Sequence, residues 1–214
     1  MSLFAAPFGL APSLHPSGIV RPSISGGPQV YGGIGIANGY SSNIFLNSPI
    51  QIDTATPRTG NLVLATALGA AGAGTAVNRI LGAFQGVEFT MTATGRRAVA
   101  NYWPANTIAS TIVAWTTREP WLIYEIQANG PVPLNALGSQ ASITANNTNS
   151  GHLITGFSTV ALDVTTAGSL TNSGTNQLRI VGFAQRIDNL PGDPFTIVMV
   201  QISMHQDVAN QVAY

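Results

Sequence analysis

Beyond residue 40 the chain alternates between apolar and polar positions with a period of two. In "NIFLNSPIQID", Ile44, Leu46, Ile50 and Ile52 fall on one face, and Asn47, Gln51 and Asp53 on the other. In "VEFTMT", Val87, Phe89 and Met91 oppose Glu88, Thr90 and Thr92. The same spacing joins Leu122, Tyr124 and Ile126, then Val160, Leu162 and Val164, then Val198, Val200, Ile202 and Met204. Successive strand side chains point to opposite faces, so this period predicts strands with one buried face. "LVLA", "STIVAW" and "LRIVGF" are short apolar runs and predict further, more central strands. Helix finds no place, because Gly and Pro interrupt most windows and the rest are rich in Val, Ile and Thr. Connections as short as "ATG" require antiparallel pairing, since parallel neighbours need long crossovers. The pattern predicts an all-β antiparallel barrel or sandwich of roughly eight to ten strands, a jelly roll being one such arrangement.

Residues 1–40 read differently. Pro7, Pro12, Pro16, Pro22 and Pro28 recur there among eight glycines. Such a segment cannot hold a helix, and its prolines confine it to sheet edges. It nevertheless carries Leu3, Phe4, Phe8, Leu10, Leu14, Ile19 and Val20, large apolar groups that disordered tails lack. The expectation is an extended N-terminal arm over 1–40 that docks, either on a neighbouring molecule or on its own domain, and a single β domain over 41–214. Irregular stretches are expected at three places: a loop of small residues at 68–78, a long polar loop or edge excursion at 135–152 and another polar loop at 165–177, long loops of this kind often serving as contact surfaces.

Charge narrows the function classes. The chain has 214 residues with no cysteine and no lysine, and eight arginines balance eight acids. Only 7% of its residues are charged, against about 25% in an average soluble protein. Surface charge keeps free proteins apart. A surface this neutral points to one covered by partners; the alternative is a hydroxyl-rich surface that is simply neutral. The arginines are scattered, and no run could follow a phosphate backbone, so no nucleic-acid partner is expected. No apolar window is long enough for a membrane helix. The first residues lack a basic region and are interrupted by Pro7 and Pro12, so no signal peptide is expected, and the absence of cysteine fits a reducing cytoplasm.

"GVEFTMTATGRRAVANYWPAN" (86–106) concentrates the candidate contact residues. A strand over 84–92 turns at Gly95 and returns over 97–103. Arg96 and Arg97 at its tip point to opposite faces and cannot clamp one ligand together. One is free to pair with Glu88 across the hairpin, the other to meet a neighbour. Arg, Tyr and Trp are enriched in interface hot spots, which makes Arg96, Arg97, Tyr102 and Trp103 candidate inter-subunit contacts; a plain intradomain hairpin accounts for the pattern as well.

Catalytic and cofactor motifs fail on spacing. "GGIGIANG" (32–39) lacks the dinucleotide spacing, the helix and the following acid, and "GAAGAG" (69–74) lacks the Gly-Lys of a phosphate loop. His15, His152 and His205 lie far apart, and His205, at a strand end, is expected at the surface; no metal and no cofactor are expected. Glu119, Glu125, Asp188 and Asp193 show no spacing that favours a glycosidase pair, and "RIDNLPGDPF" is turn chemistry. The chain is expected not to be an enzyme. Trp103, Trp115 and Trp121 would serve a rival reading as a host-glycan-binding, tail or fibre protein.

Several segments, in order, resemble one family. "MSLFAAPFGLAPSLHPSG", "GAFQGVEFTMTATGRRAVANYWPAN", "EPWLIYEIQANG", "LRIVGF" and "GDPFTIVMVQISMHQ" are similar to small head proteins of tailed bacteriophages, the capsid decoration or cement proteins. The resemblance spans nearly the whole chain, and its most specific parts are the Thr-Gly-Arg-Arg hairpin and the Gly-Asp-Pro-Phe turn. It implies a β-rich virion protein on the capsid exterior, made in the host cytoplasm, that binds the major capsid protein and itself as a trimer or a dimer. Phe4, Phe8 and Leu14 of the arm would then touch capsid or a neighbouring copy, and deletion of residues 1–20 would weaken binding without unfolding the domain. Members often carry an acid just before the Thr-Gly-Arg-Arg turn; here Ala93 stands in its place.

Overall fold

The computed structural model describes residues 4–16, 24–25, 35–53, 60–66, 79–166, 170–171 and 176–208. Among them the regular structure is strand, apart from one 3-10 turn at Leu134–Ala136. The strands are β1 (Ala11–Leu14), β2 (Ile24–Ser25), β3 (Pro49–Ile52), β4 (Leu62–Leu64), β5 (Gly82–Met91) and β6 (Arg97–Ala100). They continue with β7 (Ala109–Thr117), β8 (Ile123–Gln127), β9 (Gln140–Ile143), β10 (Leu162–Asp163), β11 (Leu178–Phe183) and β12 (Ile197–Ile202). Two antiparallel sheets result. The first runs β1-β8-β12-β11-β9-β10; the second runs β2-β7-β5-β3-β4, with β6 added beside the distal half of β5. Neither sheet closes on itself, so the all-β expectation resolves to a sandwich and not a barrel.

The two-residue period explains the first core. Leu122, Tyr124 and Ile126 of the β8 segment meet Val198, Val200 and Ile202 of β12 and Leu178 and Ile180 of β11, all fully or almost fully buried. Ala65, Ile80 and Ala83 reach the same cluster from segments of the second sheet. Each buried Leu, Ile or Val is worth about 1.5–3 kcal/mol, and these strands supply it from one face only. The second core gathers Ile44, Ile50, Leu62, Leu81, Phe84, Val87, Phe89, Trp103 and Ile112.

Simple alternation cannot put Phe84 and Val87 on one face, since they are three residues apart. The pairing of β5 with β7 slips between Phe84 and Gly86, and Gly86 has φ 137°. This bulge resets the parity, and both side chains enter the second core. A second slip, opposite Thr111 (φ 51°), does the same for Ala109 and Ile112 on β7. Thr111 is β-branched, for which a positive φ is strained.

Departures from the sequence pattern have local causes. The single alternating strand expected through residues 43–53 begins only at Pro49. Asn47 sits at φ 65°, which Asn tolerates; the chain turns there, Phe45 is buried beside Ile44, and Gln51 is buried too. The stretch 135–152 is not one loop: it contains β9, whose Ala141 pairs with Leu178 of β11. Within the expected loop 165–177, Thr171 exchanges two backbone hydrogen bonds with Gln140. The loop expected at 68–78, and residues 17–23 and 26–34 of the arm, lie outside the described residues.

After β12 the chain crosses from one sheet to the other. Ser203 N donates to Gln177 O, Ile80 N to Met204 O and Gln206 N to Ile80 O. The Gln206 amide then bonds both backbone groups of Ile52, accepting from N at 2.6 Å and donating to O at 3.0 Å. Arg118 closes the crossing with a two-pronged contact to Asp207 at 2.5 and 3.1 Å.

Candidate interaction surface

The described first part of the arm, residues 4–16, is anchored to its own domain. Gln127 clamps its start: Oε1 accepts from Ala6 N at 2.7 Å and Nε2 donates to Phe4 O at 3.1 Å. Gly9 (φ 79°) lies so close to Asn47 that a Cβ would overlap the Asn47 carbonyl, and Leu10 N donates to that carbonyl at 2.8 Å. Leu10 is fully buried in the first core, and β1 then pairs with the edge of β8, Ala11 opposite Glu125. Phe4 projects outward, 80% exposed, while Phe8 and Leu14 are half-buried.

The hairpin forms as the sequence predicts, with β5 returning as β6 around Gly95 (φ 65°). Arg97 Nε donates to Glu88 Oε1 at 2.6 Å, and this hydrogen bond holds the Glu88 carboxyl below its ordinary value. Arg96 is exposed at the tip and enters no ion pair among the described residues. Ala93 is exposed in the same turn. Tyr102 and Trp103 do not form a surface pair. Tyr102 is half-buried and stacks on Phe45 with ring centroids 5.7 Å apart. Trp103 is fully buried, edge-on to Phe89 at 5.3 Å, and its backbone exchanges two hydrogen bonds with Ile44. Trp103 is therefore corrected from contact residue to core residue: the large apolar ring gains more from burial beside Phe89 than it loses at Nε1, which has no hydrogen-bond partner.

The histidines and acids are dispersed. His205 is 1% exposed, not at the surface, because β12 leads straight into the crossing between the sheets. Burial pushes its proton affinity below the ordinary histidine value, against the pull of the Asp207 carboxylate. His15 lies 3.9 Å from Glu119, and His152 is exposed. Glu125 accepts from Ser13 at 3.2 Å and pairs with Arg186. Asp193 closes a turn on Leu190 N at 2.9 Å, and Asp188 is exposed in the preceding turn, which Asn189 N closes on Arg186 O. No group of three His, Cys, Asp or Glu side chains is placed to hold a metal ion among the described residues.

Exposed apolar side chains cluster where the sequence pattern singled out nothing. Leu153, Ile154 and Phe157 are 62%, 90% and 43% exposed. Their loop is tied to the end of β6, because Asn101 Nδ2 donates to Thr155 O at 2.9 Å, and Val99 of β6 is also exposed. On the first sheet, Leu134, Leu137, Val181 and Leu190 are exposed around linked backbones, with Gly138 N donating to Ile180 O and Gly192 N to Val132 O. Ile187 is fully exposed in the adjoining turn, and Trp121 is 62% exposed. The available signal was apolar residues without a period, as in "HLITGF" and "RIDNLPGDPF".

Comparison of the chain with protein-family models, with curated proteins and with solved structures finds no match.

Proposed function

We propose that this is a virion structural protein: a decoration protein that binds the outer face of an assembled tailed-phage capsid and stabilises its lattice. The observation that carries a binding role is the surface itself. It holds Ile154, Ile187, Phe4, Leu153 and Leu134 more than half exposed on a chain with 7% charged residues. Exposed apolar groups in clusters mark interaction surfaces, and here they sit on loops held by backbone hydrogen bonds to a sandwich. The identity of the partner, the major capsid protein, rests on the resemblance of the quoted sequence segments. Self-association into a trimer or dimer would place several copies of each patch against the lattice, where modest contacts add through avidity.

The deciding experiment is co-sedimentation of the purified protein with undecorated capsids of the same phage. Saturable binding at a fixed ratio to the major capsid protein is expected; absence of binding would overturn the proposal. Trp121, a lone exposed indole, favours a second reading as a host-glycan-binding tail or fibre component. That reading requires oligosaccharide binding that is lost in Trp121→Ala while capsid binding is absent.

A further inference from the structure

We propose that residues 203–208 form an acid-opened latch between the two sheets, with His205 as its proton sensor. The ring is 1% exposed, and Ile80, with which His205 forms a bridge, belongs to the opposing side of the crossing. Asp207 N donates to His205 Nδ1 at 3.1 Å. That lone pair is therefore occupied, and the neutral ring carries its hydrogen on Nε2. Nε2 is itself buried and makes no close hydrogen bond, with only the Leu81 backbone near enough to favour the charged ring. A second proton has only Nδ1 to go to. Its arrival removes the acceptor of the Asp207 N–H and leaves a cation with no water around it, a state that buried groups avoid. The ring reaches water only if the segment lifts.

The charged groups of the packed elements do not compensate. The Asp207 carboxylate, nearest in sequence, is engaged by Arg118 through two hydrogen bonds, and Arg118 opposes the ring's charge. Glu119 favours the charged ring but also faces His15 at 3.9 Å. Beside Ile80, Arg79 adds positive charge and donates to Val208 O at 3.4 Å. Burial outweighs the attraction to the two acids and to the Leu81 backbone.

The direction follows from linkage. In the open form the ring binds a proton near its ordinary value of about 6.5; in the closed form it binds only at lower pH. Closure is thus fully favoured above that value. As pH falls below it, the ratio of open to closed form rises by up to about tenfold per unit, until the closed ring also titrates. Opening frees the Ile52 and Ile80 backbones, where β3 and the chain entering β5 part and the Gln206 side chain and backbone bridge them in the closed form.

Amide hydrogen exchange of the full chain at pH 7.5 and 5.0, expressed as protection factors, tests this. Protection at Ile52, Ile80, Gln206 and Asp207 is expected to fall measurably, by up to about tenfold per pH unit below the ordinary histidine value, while β8 and β11 keep theirs. His205→Asn retains an acceptor near the Nδ1 position and binds no proton, so the fall is expected to vanish; His152→Gln, at an exposed site, is expected to retain it. If His205→Asn does not fold, Gln206→Ala decides: its four amides are expected to be weakly protected at both pH values in a folded sandwich. An equal fall across β8 and β11, an unchanged fall in His205→Asn, or full protection in Gln206→Ala would overturn the latch.

Discussion

Tyr124 shows how one side chain reports the packing around it. Its ring is fully buried in the first core, and its hydroxyl lies 3.0 Å from Thr117 Oγ1, which also bonds the backbone of Ala83. Burial pushes the phenol well above its ordinary value of about 10. The folded form keeps the proton that the unfolded form loses, so stability is complete below that value and declines as pH rises through it. Spectrophotometric titration is expected to show one of the five tyrosines ionising only with alkaline unfolding. Trp103 makes the complementary point. Trp103→Ala is expected to cost about 3–5 kcal/mol in denaturant unfolding, whereas a surface contact residue would barely change it. Trp103 and His205 were legible as residue types but not as positions. Burial of each is decided by a distant partner, Phe89 and Ile80 respectively, and no neighbouring residue encodes that.

At the scale of elements, the two-residue period located β5, β8 and β12 because each has one apolar face to bury, and short apolar runs located β4, β7 and β11. It missed β9, where Gln140, Ser142 and small residues give little contrast between faces. The bulges were also invisible, since a parity change at Gly86 shows only once the partner strand is known. The arm divides between two roles that the sequence left open. Leu10 belongs to the core and Phe4 to the surface. Leu10→Ala is therefore expected to cost about 2–5 kcal/mol, lowering Tm by several degrees or more in calorimetry. Deleting residues 1–20 would remove β1 and Leu10 together, so it should destabilise the sandwich instead of sparing it. Phe4→Ser separates the roles: Tm is expected to stay unchanged while capsid co-sedimentation weakens.

For the whole molecule, the balance of eight arginines and eight acids sets the character of its contacts. Of the charges at the surface, Arg97, Arg118 and Arg186 are already paired within the chain. On the proposed function, capsid binding through the exposed apolar loops should therefore resist salt. At 1 M NaCl charges are screened beyond about 3 Å, and co-sedimentation is expected to match that at 0.1 M; a loss of binding would assign the contact to Arg96 and its like. Composition alone made the neutral character of this surface legible. It did not locate the apolar patches, because Leu153, Ile154 and Ile187 sit in loops without periodicity.

The position of β12 carries a consequence for how the molecule is made. It follows every other described strand in the chain, yet lies between β8 and β11 in the first sheet. On the ribosome, β8 and β11 emerge with that place empty, their apolar faces lacking Val198 and Val200. The first sheet must then close late, after synthesis of nearly all the described residues, and nascent or prematurely terminated chains present two open edges that invite pairing with other chains. A mutation in β12 is thus expected to be felt first as a loss of soluble yield during expression, before any change in the properties of the folded protein.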